Sequence, residues 1–243
     1  LFGDYDKLTE IKDTDELCDY ICFTDQENLS VPGWDIRIIK HESDPVLMNR
    51  MYKMLPHQHL NNYNKSLYVD SNIVVSGKLS TLIDMYVNKQ DISIPKHFMR
   101  NCSYSEASFC YENNKINGTT YDYIIEKVYR FHGFPENFGL GENNIIIRTH
   151  KSKALNQAME QWWDMFINIA RRDQLLLMFI LWQHQIKFGF MQESARNKNL
   201  YFDYRLHNSL IKKNLIKKIL LSMSARRDRN ILFKAIGKLL DRL

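Results

Sequence analysis

The sequence predicts an α/β protein: a single Rossmann-like domain with a mostly parallel sheet, followed by C-terminal amphipathic helices. Three observations carry that expectation. Short apolar runs bounded by turn residues alternate with stretches of helical spacing from Tyr20 to Trp182, the pattern of strands joined by crossover helices. Two of the runs end on acids, at Asp25 and Asp70, and open α/β sheets bind ligands beyond the carboxyl ends of their strands. Near Leu210 the pattern changes to apolar stripes with lysines and arginines opposite. The expected division is therefore a domain over 1–205 and a basic helical tail over 206–243.

The elements follow in order. Tyr20 to Asp25 reads as a buried strand ending in an acid, and Trp34 to Lys40 as a second strand. Asp44-Pro45 opens a helix, Asp as N-cap and Pro in the first turn, which runs through Leu55 until Pro56 interrupts it. Arg50 and Lys53 then share one face on neighbouring turns. Lys65 to Asp70 is a short apolar strand, a further apolar run closes at Gly77, and Leu79 to Val87 is helical. Ile92 to Met99 is extended or loop around Pro95, and Ser103 to Glu106 has capping-box spacing ahead of a short helix through Cys110. A helix from Tyr121 to Arg130 follows, then a strand over Asn143 to Arg148. Leu155, Met159, Trp162, Trp163 and Phe166 mark the next helix, and an apolar helix runs from about Arg172 to Trp182.

Composition narrows the classes. At 243 residues with 44% hydrophobic and 12% aromatic content the chain can bury a sizeable core. No run reaches the ~20 apolar residues of a membrane-spanning helix. Cys18, Cys22, Cys102 and Cys110 are spaced neither as a zinc site nor as a disulfide framework, so buried thiols are expected. Residues 211–243 hold ten Lys or Arg against two Asp, so the net charge of +5 divides into +8 for this tail and −3 for the rest. The basicity describes one surface. The chain opens on Leu1 rather than Met, and no signal-peptide pattern precedes the first motif.

Asp70 and Asn72, two residues apart at a strand end, offer two oxygens to one divalent cation that would neutralise a diphosphate. Arg50 offers fixed donors to phosphate oxygens, although such a pair with Lys53 is also an ordinary solvated face. His57 and His59 lack partners at ligand spacing. His97 is the better histidine for metal or phosphate, weighed evenly against a partly buried structural role. Asp173 either complements the helix dipole, accepts a proton from an acceptor hydroxyl, or faces positive charge at an anomeric carbon. Trp162, Trp163 and Trp182 read as core.

Several segments, in order, resemble a glycosyltransferase-like family of bacterial polysaccharide loci and plant cell-wall proteins, formerly a domain of unknown function. They are LFGDYDKL from Leu1, CFTD from Cys22, DPVLMNRMYKMLPH from Asp44, SLYVDSNIVVSGKLSTLI from Ser66, KHFMRNCSYSEASFC from Lys96, NIIIRTHK from Asn144 and RDQLLLMFILW from Arg172. That family is similar to glycosyltransferase family 8, with a type A fold carrying an Asp-x-Asp motif. The resemblance implies donor contacts from Phe2, Gly3, Asp25, Arg50, Lys53, Asp70, Arg100 and Arg148, with Asp173 and Gln174 as the late Asp-Gln pair at the reaction centre. It implies Mn2+ or Mg2+ on Asp70, Asn72 and His97. Asn72 departs from the pattern, a neutral carbonyl standing for the second carboxylate and weakening the expected metal affinity.

The expected activity is metal-assisted transfer of a sugar, hexosyl or related, from a nucleotide-diphosphate donor to a growing surface glycan such as capsule or lipopolysaccharide, on a lipid-linked acceptor. The expected location is cytoplasmic, peripheral to the inner face of the membrane, with residues 210–243 on an anionic lipid surface. Two rivals remain: a non-catalytic module of the same fold that binds nucleotide sugar or glycan, and a nucleic-acid binder acting through the basic tail. No nucleic acid is expected, because the tail lacks a recognised binding motif or aromatic ladder.

Overall fold

The computed structural model describes residues 1–3, 6–40, 44–207 and 214–241. Strand β1 (Ile21–Thr24) pairs in parallel with β2 (Asp35–Ile38), Ile21 opposite Asp35. Helix α1 (Pro45–Met54) begins as its sequence dictates, with the Val46 amide donating to Asp44 Oδ1 at 2.8 Å. Pro56 removes a donor and starts the short α2 (Pro56–His59). Strand β3 (Lys65–Val69) leads through the Asp70–Asn72 turn to β4 (Ile73–Val75) and α3 (Leu79–Val87). Then come β5 (Ile92–Pro95), α4 (Ser103–Glu112) and α5 (Gly118–Asp122), which continues as a π-helix over Tyr123–Arg130.

Strand β6 (Ile145–Thr149) is followed by α6 (Lys153–Asn168) and α7 (Asp173–Gln183). Strands β7 (Phe188–Met191) and β8 (Phe202–Tyr204), which no sequence pattern flagged, precede α8 (Leu215–Ala225) and α9 (Ile231–Leu240). The stripe expected from Leu210 and Ile211 lies in part outside the described residues.

The fold is α/β around a central four-stranded sheet of order β3-β6-β5-β7. Its pairings are mixed: β5 runs parallel to β7 and antiparallel to β6, with Ile92 opposite Arg148. Both β5 and β6 are buried along their whole length, β6 opening on three consecutive isoleucines and β5 enclosing Ser93, whose hydroxyl accepts from Gln90 at 2.9 Å. The chain divides into two interleaved units, the first of Leu1–Asn49, Val69–Leu82 and Glu193–Leu243, the second of Arg50–Tyr68 and Ile83–Gln192. This division is not the sequential one at residue 205.

In the second unit, Ile145, Ile146 and Ile147 of β6 are fully buried, as are Leu175, Leu176 and Leu177 of α7. Helix α7 is apolar all round for that reason. Tyr129 closes this core, donating its hydroxyl to the Leu175 carbonyl, and burial pushes its pKa well above the ordinary phenol value. In the first unit, β4 pairs antiparallel with β8, and Phe2, Ile11, Ile73, Val75 and Phe202 are buried. No cysteine is joined to another, and Cys22, Cys102 and Cys110 are buried.

Candidate functional site

In the second unit, α1 and the start of α7 present opposite charges. Arg50 and Lys53, one turn apart on α1, both face the same oxygen of Asp173. Lys53 Nζ lies 2.6 Å from Asp173 Oδ2, and Arg50 Nε lies 3.7 Å from it. Burial raises the carboxyl pKa, but Lys53 first, then Arg50 and Arg172, outweigh that and hold it well below the usual carboxylate range. Asp173 is the first residue of α7, where the helix dipole adds to the same preference. Its backbone is fixed as well: Trp162 Nε1 donates to the Asp173 carbonyl at 3.1 Å and Asn143 Nδ2 at 3.3 Å. Asp173 Oδ1 carries no hydrogen bond to the described residues, so one face of the carboxylate can accept from a ligand hydroxyl.

Arg50, Lys53 and Asp173, all expected at the site, lie together, and the two cations differ in exposure. Lys53 is only 2% exposed, with Tyr68 below its ammonium at 5.1 Å. It anchors Asp173 and is shut off from a donor in solvent, whereas Arg50 keeps 29% of its side chain exposed. Gln174 donates to the Gly141 carbonyl at 3.4 Å.

Arg148, expected at the donor, is placed in the interior. It is 1% exposed, donates to the Lys53 carbonyl, and lies 3.5 Å from the Met159 sulfur, with its Nε unpaired. Burial lowers its pKa to about 9. Its guanidinium lies in the core between α1 and β6, shut off from solvent, with its two terminal nitrogens engaged there.

Arg100 and Glu106 form a pair at 2.5 Å, with the guanidinium 4.0 Å above the Phe109 ring. The capping-box reading fails here: Cys102 takes the N-cap position without a side-chain cap, and Glu106 is buried against Arg100 and Cys110. A charge partner six residues back outcompetes a backbone amide. His97 is also buried, and its Nδ1 accepts from the backbone amides of Arg100 at 3.1 Å and Met99 at 3.3 Å. Its Nδ1 is thus engaged by the backbone of the loop that follows β5.

In the first unit, Asp25 at the end of β1 accepts the Gly3 amide on both oxygens, at 3.0 and 3.1 Å, while Gln26 donates to the Gly3 carbonyl at 2.7 Å. Gly3 has a φ of 63°, which suits glycine in this turn. Phe2 beside it is buried. Gly3 and Asp25, both expected near the donor, are thus locked to one another.

The turn after β3 holds a second constellation. His207, just beyond β8, donates from Nδ1 to Asp6 Oδ2 at 2.6 Å, and its Nε2 meets Asn72 Nδ2 at 3.1 Å. Ser71 donates to the same Asp6 oxygen at 3.3 Å. Asp6 and Asn72 are buried. Asp70 lines a small cavity with Thr9, Trp34 and Ser71.

In donor type these residues suit a hard divalent cation, a carboxylate, an amide oxygen and an imidazole, but the His207 Nε2 lone pair is engaged by Asn72 Nδ2, so the amide would have to turn for both to reach it. A carboxylate on the far nitrogen is how metal-ligating histidines are oriented. Among the described residues no three His, Cys, Asp or Glu side chains already converge as a metal site, so Asn72 would have to complete the set. Sequence reasoning missed His207 and Asp6. His207 carries no local signal, and its partner Asn72 lies 135 positions earlier; Asp6 stood inside the opening LFGDYD motif.

The family model for the TOD1/MUCI70 glycosyltransferase-like domain matches residues 4–212. Among solved structures, the apo WbbM bifunctional glycosyltransferase aligns with a TM-score of 0.43 and 12% identity, covering 82% of this chain and 35% of that one. The chain thus spans about a third of that protein's length. No curated protein matches.

Proposed function

The chain belongs to that glycosyltransferase-like family, and on this premise we propose that it transfers a sugar from a nucleotide-diphosphate sugar to a glycan acceptor. The observation that carries the reading is Asp173, kept ionised by Lys53 and Arg50 while Oδ1 stays available. A carboxylate held so far below its ordinary pKa is a poor proton acceptor. Its role in the proposal is to accept a hydrogen bond from a sugar hydroxyl and to oppose positive charge developing at the anomeric carbon. Trp162 and Asn143 hold it in place. Arg50, part exposed, faces the donor.

In the first unit, Asp70, Asn72 and His207 are the residues that would hold Mn2+ or Mg2+, with Asp6 orienting the imidazole. Such a cation supplies positive charge to the oxygens of a departing diphosphate. A second reading, a binding module without turnover, is favoured by Asn72, where a neutral amide already engaged with His207 stands in place of a second carboxylate.

The test is turnover of a panel of nucleotide sugars by the wild type and Asp173→Asn, alongside thermal unfolding with nucleotide diphosphates with and without Mn2+. The wild type should gain unfolding temperature with one nucleotide, since selective binding stabilises the folded state. Asp173→Asn should lose on the order of a hundredfold in kcat, with near-ultraviolet circular dichroism confirming its fold. Normal turnover by Asp173→Asn would sink the assignment. Nucleotide binding without turnover would establish the second reading.

A further inference from the structure

Helices α8 and α9 pack against one another and are tied to the first unit by their charges. Asp203 of β8 accepts from Arg226 Nε at 2.8 Å and from Arg229 at 2.6 Å, and Arg227 forms a two-pronged pair with Asp241 at 2.6 and 2.9 Å. The three arginines are therefore occupied within the protein. The pairing also orients the helices, because Ala225 and Gly237 face inward and are buried.

What remains outside is apolar. On α8, Leu215, Ile216 and Ile219 are exposed; on α9, Ile231, Leu232 and Leu239 are exposed, Ile231 by 89%. At 100° per residue, positions i, i+1, i+4 and i+8 fall within one quadrant or so of a helix. Each helix thus carries a single apolar stripe turned away from its own packing. The lysines border these stripes. Lys234 and Lys238 lie on one flank of the α9 stripe and Lys218 beside that of α8, and neither helix contains an acid. None of these lysines has a salt-bridge partner among the described residues.

We propose that α8 and α9 form a docking surface for a membrane carrying anionic lipid, the apolar stripes entering the headgroup boundary and the bordering lysines reaching lipid phosphates. Charge complementarity selects this occupant. A second copy of the same face would set lysines against lysines. A nucleic-acid backbone would meet the lysines but leave six exposed Leu and Ile side chains in water. Interfacial helices combine these features: an apolar face, flanking Lys and no acid on either. No helix among the described residues is long and apolar enough to cross a membrane.

The test is flotation of the full chain with vesicles of phosphatidylcholine alone and of an equimolar mixture with phosphatidylglycerol. The wild type should float only with the mixture and detach as salt rises. Ile231→Asp, and more completely Ile219→Asp with Ile231→Asp, should abolish flotation without moving the thermal midpoint, because both side chains are exposed. Lys234→Gln with Lys238→Gln should weaken binding on the order of thirtyfold, two charges at the lipid surface being removed. Equal flotation with both vesicles, or unchanged flotation of the Ile variants, would overturn the proposal. So would self-association of the wild type that Ile231→Asp abolishes, or retention on DNA that depends on the isoleucines.

Discussion

Lys53 and Asp173 make the sharpest residue-scale claim, because neither ion is stable alone where it sits. Lys53 is 2% exposed and Asp173 16%, and removing Lys53 leaves the carboxylate only the more distant Arg50 at 3.7 Å, a loss approaching the roughly 3 kcal/mol of a broken buried pair. Lys53→Met should therefore destabilise by about 3 kcal/mol at neutral pH, read from urea unfolding. The sign of the pH dependence follows from the direction of the Asp173 shift. Its folded pKa is depressed, so the wild type holds this stabilisation above the unfolded value of about 3.9 and loses it as pH falls below that value. The gap between wild type and Lys53→Met should narrow through that acid range. A gap that stays constant would mean the loss is one of packing.

The spacing of Arg50 and Lys53 on one helix face and the start of α7 at Asp173 were legible in the sequence, since both are local patterns. The exchange of roles was not. Lys53 is buried by Tyr68 and by a carboxylate 120 residues away, and Arg148 is committed to a carbonyl 95 residues before it. A sequence shows that such cations exist without showing which of them reach solvent.

Among the elements, the helices and the longer strands could be read because caps and apolar periods act within a few residues. Strands β7 and β8 could not. Each is three or four residues long, and β7 contains Gly189, where an added Cβ would meet the Gln90 side chain at 2.2 Å. A glycine in a strand looks like a break in sequence and here permits close approach. Gly139, in the turn before β6, is a stronger case. Its φ of 117° is rare for any other residue, and a Cβ there would lie 2.7 Å from Phe190 Cζ of β7. Gly139→Ala should destabilise by about 1–3 kcal/mol through strain and overpacking together. Thermal unfolding of this variant beside Gly133→Ala, which has a positive φ but open space around it, separates the two contributions. Equal losses would assign the whole effect to the backbone.

For the whole molecule, the charge division read from the sequence acquires a structural meaning: three of the tail arginines are internal ties, while Lys217, Lys234 and Lys238 are exposed. A partition of the chain at residue 205 hides this, because Asp203 of β8 accepts from both Arg226 and Arg229 and so joins the C-terminal helices to a strand paired with β4. Protection against hydrogen exchange should follow the same architecture. Helix α7, with seven consecutive buried residues from Leu175 to Leu181, should exchange only on global opening, while α9, mostly exposed, should exchange by local release. Asp203→Asn removes the charge that holds Arg226 and Arg229, so it should speed exchange across α8 and α9 and leave α7 and β6 unchanged. If α7 accelerated in step, the C-terminal helices would be part of the global unfolding unit. If α8 and α9 kept their rates, their mutual packing would suffice and the arginine ties would contribute little.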